Sequence, residues 1–83
     1  MYQLIFTPKA EKQLGKLSKD IQSRILRALK RIRIRPESHL TKLIDDSSYK
    51  FRVGDYRLFI DIIHNKLILL VVKVGHRRNI YKQ

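Results

Sequence analysis

Tyr49-Lys50-Phe51-Arg52-Val53-Gly54-Asp55-Tyr56-Arg57 reads as the end of one β-strand, a two-residue turn and the start of the next strand. Gly-Asp between alternating runs is a hairpin signal. The tight turns that match strand twist need positive φ, which glycine adopts at little cost. A two-residue turn sets Val53 opposite Tyr56, Arg52 opposite Arg57 and Lys50 opposite Phe59. Side chains alternate between the faces of a strand, so Phe51, Val53, Tyr56 and Leu58 share one side and Lys50, Arg52 and Arg57 share the other. Like charges directly opposite one another destabilise a sheet. One such pair fits a solvated outer face; three cations on one face of one hairpin point to a site for anions.

Downstream, the second strand runs from Tyr56 to about Ile63, with Leu58, Ile60 and Ile62 on the apolar side. His64-Asn65-Lys66 is a turn. Leu67 to Val74 is apolar on both faces, which places it mid-sheet. A three-residue turn brings Lys73 opposite Arg57, where it joins the cationic face. Gly75 allows a sharp exit from that strand. The tail then either returns Arg77 and Tyr81 towards the hairpin or frays as a basic terminus.

Upstream, residues 2–6 alternate as a strand. Thr7 offers an N-cap oxygen, and Pro8 sits at the first helical position, where its missing N–H costs nothing. Ala10, Leu14 and Leu17 mark a short helix over about 8–17. Ser18 caps a second, whose stripe of Ile21, Ile25, Ala28, Leu29 and Ile32 runs to about Arg33 before Pro36 ends it. The short connection makes the pair an αα-hairpin. Arg24, Arg27 and Arg31 stand at i, i+3 and i+7 on the outer face of the second helix. Alternating signs would stabilise that helix better, so these arginines form a second candidate strip for phosphate contacts, the other reading being a solvated face. Residues 36–48 read as a loop, net acidic through Glu37, Asp45 and Asp46. The fold class expected is α+β: a strand, a two-helix hairpin, then a three-strand antiparallel meander. This gives one domain over 1–83, with a small, mostly antiparallel sheet and the helices packed on one face.

Nineteen Lys and Arg against seven Asp and Glu give a formal net charge of +12 over 83 residues. That is the electrostatic footprint of a nucleic-acid binder. There is no Cys, which excludes disulfides and thiolate metal sites. The longest apolar run, Leu67 to Val72, falls far short of the roughly 20 residues of a membrane span, and a soluble, cytoplasmic protein is expected. No glycine-rich phosphate loop, nucleophilic triad or metal-ligand spacing is present in the sequence, so neither cofactor nor metal is expected. Lys, Arg and Tyr do suit metal-free cleavage of RNA, whose own 2′-OH is the nucleophile. A base must take the hydroxyl proton, cations must hold the charge that develops on phosphorus, and an acid must protonate the leaving 5′-oxygen. Arginine grips phosphate oxygens bidentately. A lysine crowded by cations can serve as the base, and a tyrosine can exchange a proton or stack on an unpaired base.

With Tyr49 to Arg57 as quoted, Val74-Gly75-His76-Arg77 and then Tyr81, the chain resembles over nearly its whole length the RelE toxins of type II toxin–antitoxin systems, within the RelE/ParE superfamily. Ribosome-dependent members of that family enter the ribosomal A site and cut messenger RNA, so the resemblance implies an endoribonuclease that inhibits translation. Carried over, Lys50 and Arg52 take the two basic positions of the first hairpin strand. Arg57 takes the phosphate-stabilising position, Arg77 the arginine after the late Val-Gly, and Tyr81 the C-terminal tyrosine. Lys50 is the preferred base, with Tyr81 as helper or stacking platform. Arg24, Arg27, Arg31, Lys73 and Arg78 are the expected RNA-binding residues. The resemblance further implies an acidic RelB-like antitoxin in a higher oligomer such as a heterotetramer, with ribosome and messenger RNA as targets. Phe59, Leu69 and Val71 are expected as exposed apolar positions for that partner, the other reading being that the tail buries them. Two alternatives stay open: a ParE-type inhibitor of DNA gyrase on the same fold, and a non-catalytic RNA-binding relative.

Overall fold

Strand β1 (Gln3–Phe6) stops at Thr7, whose side chain turns back to start a helix. In the computed structural model, which describes residues 1–43 and 48–79, Thr7 Oγ1 accepts the Ala10 N–H at 3.1 Å and Pro8 opens helix α1 (Pro8–Gly15). Ser18 Oγ repeats the device, accepting the Ile21 N–H at 3.3 Å to open α2 (Lys19–Arg31). Such caps satisfy donors that a helix leaves unpaired at its N-terminus. Both helices end about two residues earlier than the apolar periodicity predicts. At the end of α2 the reason is visible: Arg33 pairs with β1 instead. Its carbonyl accepts the Tyr2 N–H at 2.9 Å, and its Nε donates to the Tyr2 carbonyl at 2.6 Å.

Four further strands follow: β2 (Thr41–Lys42), β3 (Tyr49–Val53), β4 (Tyr56–Ile63) and β5 (Ile68–His76). They form one sheet in the order β1-β5-β4-β3-β2, with β1 parallel to β5 and every other pair antiparallel. The helices cover one face. Ile25 and Leu29 of α2, Ile32 at its C-cap and Ala10 of α1 are buried with Leu58, Ile60, Leu69, Val71 and Val74 of β4 and β5. The strand read as apolar on both faces is indeed internal, between β1 and β4. No helix among the described residues is long and apolar enough to cross a membrane.

Two one-residue offsets separate this sheet from the predicted register. The β4–β5 connection holds four residues, not three, because Leu67 adopts a left-handed conformation (φ 53°) and Ile63 pairs with Ile68. A one-residue slip moves every side chain of a strand to the other face. Leu69 and Val71, expected on the surface, are therefore fully buried. A β-bulge then follows: Ile60 pairs with Val71 but Phe59 with Lys73, so Val72 has no opposite residue. The bulge returns Lys73 to the outer face but sets it opposite Phe59; Arg57 faces Gly75. The predicted Lys73–Arg57 pair is thus absent. Nor does the strand leave at Gly75, since His76 still pairs with Tyr56.

Residues 36–48 are not wholly loop. Pro36–Ser38 forms a 3-10 turn, and β2 adds a two-residue edge to β3, Thr41 opposite Lys50 and Lys42 opposite Tyr49. Two polar residues carry no period to detect. Asp45 and Asp46 lie outside the described residues.

Candidate nucleic-acid interface

The Gly54-Asp55 turn fixes the geometry. Gly54 has φ +58°, and the hairpin pairs Val53 with Tyr56, Arg52 with Arg57 and Lys50 with Phe59, as the sequence predicts. Leu58 and Ile60 point into the core, so alternation sends Arg57 and Phe59 to the face away from the helices. That face carries two rows of side chains across the strands. One row is Lys50, Phe59 and Lys73; the next, nearer the turn, is Arg52, Arg57 and Gly75. Opposed residues stand about 5 Å apart and successive rows about 7 Å apart. Four cations therefore occupy a patch about one nucleotide across.

Local contacts aim this grid. The Nη1 of Arg57 donates to the Gly54 carbonyl at 3.3 Å and to the Tyr56 carbonyl at 3.2 Å, holding the guanidinium against the turn. The ammonium of Lys73 lies over the Phe59 ring, 5.5 Å from its centroid. Beyond the Phe59 row stands Asp61, the carboxylate of this face, which accepts the Ser48 hydroxyl at 2.6 Å. The face thus runs from acidic at Asp61 to cationic at the turn, which favours phosphate at one end only.

Arg77 joins this end of the molecule. Its N–H donates to the Asp55 carbonyl at 2.8 Å, and its Nε lies 3.9 Å from Asp55 Oδ1. The half-exposed ion pair is weak by itself; the main-chain bond supplies the anchor. Tyr81 lies outside the described residues. Arg78 is exposed in the turn after β5, where its N–H donates to Nδ1 of His76, and that ring meets Tyr56 edge-on with centroids 5.4 Å apart.

Arg24, Arg27 and Arg31 do not share this face. They are exposed along α2 and, with Ala28 and Val53, line an open groove of about 350 Å³ beside β3. A neighbouring hollow of about 270 Å³ continues it past Ala28, Arg31, Ile32, His39, Phe51 and Arg52. The groove has an apolar floor and a basic rim. The two cationic strips meet at the turn, where Arg24 Nη2 lies 3.0 Å from the position a Cβ would take on Gly54.

Three contributors escape sequence reasoning. Phe59, already expected opposite Lys50, has Lys73 on its other side, which only the bulge reveals. Asp55, read as a turn residue, holds Arg77. Gln13 of α1 reaches across the core, its Oε1 accepting the Val74 N–H at 2.8 Å just past the bulge. A half-buried glutamine on an apolar helix face is the one sequence hint of that bond.

Comparison with known proteins bears on this geometry. The family model described as ParE toxin of type II toxin-antitoxin system, parDE, matches residues 4–81. Curated proteins give no sequence match. Among solved structures, a RelBE toxin–antitoxin complex from Mycobacterium tuberculosis superposes with a TM-score of 0.84 at 25% identity, covering 92% of this chain and 98% of that one. The isolated RelE toxin of E. coli gives 0.78 at 25% identity, covering 99% and 93%. An archaeal RelE–RelB complex from Pyrococcus horikoshii gives 0.79 at 21% identity, covering 94% and 97%, a likeness of fold.

Proposed function

The chain belongs to the ParE toxin family of type II toxin–antitoxin systems, and on that premise we propose that it is an endoribonuclease that cuts messenger RNA in the ribosomal A site without a metal. The observation that carries this reading is the cation grid. Lys50, Arg52, Arg57 and Lys73 project from the sheet face away from the helices, against the cross-strand repulsion of Arg52 and Arg57, and Arg77 is anchored beside them. A fold selected for stability alone does not set two arginines opposite each other.

In the proposed step, the 2′-oxygen of the substrate attacks the adjacent phosphorus and its proton passes to Lys50. The P–O5′ bond breaks, leaving a 2′,3′-cyclic phosphate and a 5′-hydroxyl, the latter protonated by the acid. Arg52, Arg57 and Arg77 hold the non-bridging oxygens as charge builds on them. Arg52 at the second basic position keeps a charge but is a poor proton acceptor, which assigns the base role to Lys50. The partner is an acidic, RelB-like antitoxin; the solved RelBE toxin–antitoxin complex from Mycobacterium tuberculosis supports the RelB-like part of that reading. The net charge of +12 and the basic-rimmed groove beside α2 suit such a chain.

The test is cell-free translation with the wild type and with Arg57→Ala, mapping messenger RNA ends. New ends inside codons with the wild type, and cleavage reduced about 10²–10³-fold in the variant, are expected. Intact message with both refutes the reading. The family description favours one other function, inhibition of DNA gyrase in the ParE manner. It requires no cation grid. Supercoiling inhibited equally by the wild type and by Lys50→Ala, with message left intact, would establish it.

A further inference from the structure

The hairpin turn seats two arginines of the site. The Gly54 and Tyr56 carbonyls accept Nη1 of Arg57, and the Asp55 carbonyl between them accepts the Arg77 N–H at 2.8 Å. That bond continues the β4–β5 pairing one residue beyond Tyr56 and His76. It fixes where the Arg77 main chain lies. It does not fix where the guanidinium points, because a long, rotatable side chain lies between. The Asp55 carboxylate is placed to do so, its Oδ1 3.9 Å from Nε of Arg77.

Neither the turn nor the phosphate site accounts for this charge. After a glycine at φ +58°, a two-residue hairpin turn takes asparagine or serine as well as aspartate. A negative charge at the tip of a hairpin that carries Arg52 and Arg57 also weakens the pull on a polyanion. The contact with Arg77 is what remains to explain it. We propose that Asp55 is a positioning residue: its carboxylate orients the Arg77 guanidinium before the scissile phosphate arrives. This rests on the endoribonuclease reading of the same face. Contact through Nε keeps the Nη1–Nη2 edge of the fork for two oxygens of one phosphate. The side chains are 49% and 66% exposed, so water screens the pair. Such a pair biases its partners by up to about fivefold. An arginine already oriented loses less torsional freedom when it grips phosphate. Removing the charge therefore acts in opposite directions: it favours binding of RNA and slows the chemical step.

Asp55→Asn keeps the side-chain shape, the turn and the main-chain bond to Arg77, and removes only the charge. Three properties are measured. Anisotropy gives the affinity for a labelled 2′-deoxy oligonucleotide, which lacks the attacking hydroxyl. Programmed ribosomes give the rate of message cleavage at saturating protein. NMR relaxation gives the order of the Arg77 Nε–H. The variant is expected to bind as tightly as the wild type or more so, to cleave about two- to fivefold more slowly at saturation, and to show a more mobile Nε–H. In an Arg77→Ala background the same substitution is expected to leave the residual rate unchanged, because the group it acts through is gone. A saturating rate equal to or above that of the wild type, a loss that persists in full in Arg77→Ala, or an Nε–H as ordered as before overturns the proposal. The endoribonuclease reading fails separately: intact message with the wild type removes the cleavage, and the order of the Arg77 Nε–H still decides whether Asp55 positions it.

Discussion

Replacing Arg52 by Gln is expected to make the protein more stable and less active. Arg52 and Arg57 face each other directly across β3 and β4. Opposed like charges cost about 0.2–1 kcal/mol. This pair faces water and is screened, so the lower half of that range applies, about 0.2–0.5 kcal/mol. For a domain of this size each kcal/mol moves the melting temperature by about 4–8 °C, which makes the expected gain about 1–4 °C at low salt. Arg52 is the member to change, because Arg57 also donates to the Gly54 and Tyr56 carbonyls and its loss would remove those bonds as well. Glutamine stays polar and removes the charge. Thermal unfolding followed by circular dichroism at about 20 mM and 500 mM salt measures the effect, and the gain should vanish at high salt, where charges are screened within a few ångströms. Cleavage of ribosome-bound message by the same variant should fall sharply. A variant less stable than the wild type at low salt, or a gain that persists in high salt, refutes the idea that the pair is held against repulsion.

Gly54→Ala should destabilise by about 1–2 kcal/mol through its positive φ, with Arg24→Ala recovering little of the loss. The new Cβ would meet only the flexible end of Arg24 at 3.0 Å, and thermal melts of both variants decide. Gln13→Leu orphans the Val74 N–H and should cost about 1–3 kcal/mol, while Gln13→Glu, which keeps an acceptor, should cost less; urea unfolding separates them, and faster hydrogen exchange at Val74 in Gln13→Leu would confirm the cause. Binding of single-stranded oligonucleotide through the four cations of the grid should give a log–log salt slope of about −3, reduced by about 0.7 in Lys73→Gln. A slope unchanged in that variant would take Lys73 out of the interface.

Much of this structure is legible in the sequence because its signals are local. The two capped helix starts and the glycine turn each depend on a few adjacent residues, and all stand where the sequence places them. With the turn fixed, alternation alone brings Lys50, Arg52 and Arg57 to one face. Non-local features did not read as well. The register of β5 depends on a leucine adopting φ 53° and on a bulge, neither of which has a residue signature. A glycine at 67 would have announced the turn; Leu67 conceals it. The error therefore fell on Leu69, Val71 and Lys73, the residues downstream of both offsets. The α2 arginines were correctly read as exposed but border a different surface from the grid, because a helical wheel gives the face of a helix and not its neighbour.

The parallel pairing of β1 with β5 joins Gln3 to Ile68 and Phe6 to Val71, so among the described residues the interior of the sheet is closed by the last strand in chain order. Until that segment is available, β1 and β4 lack their shared neighbour, the core lacks Leu69, Val71 and Val74, and Arg77 lacks its seat on Asp55. Contacts so distant along the chain form late and slowly. A polypeptide that has not yet reached β5 therefore cannot set Lys73 beside Phe59 or anchor Arg77 on Asp55, and the cationic surface stays incomplete.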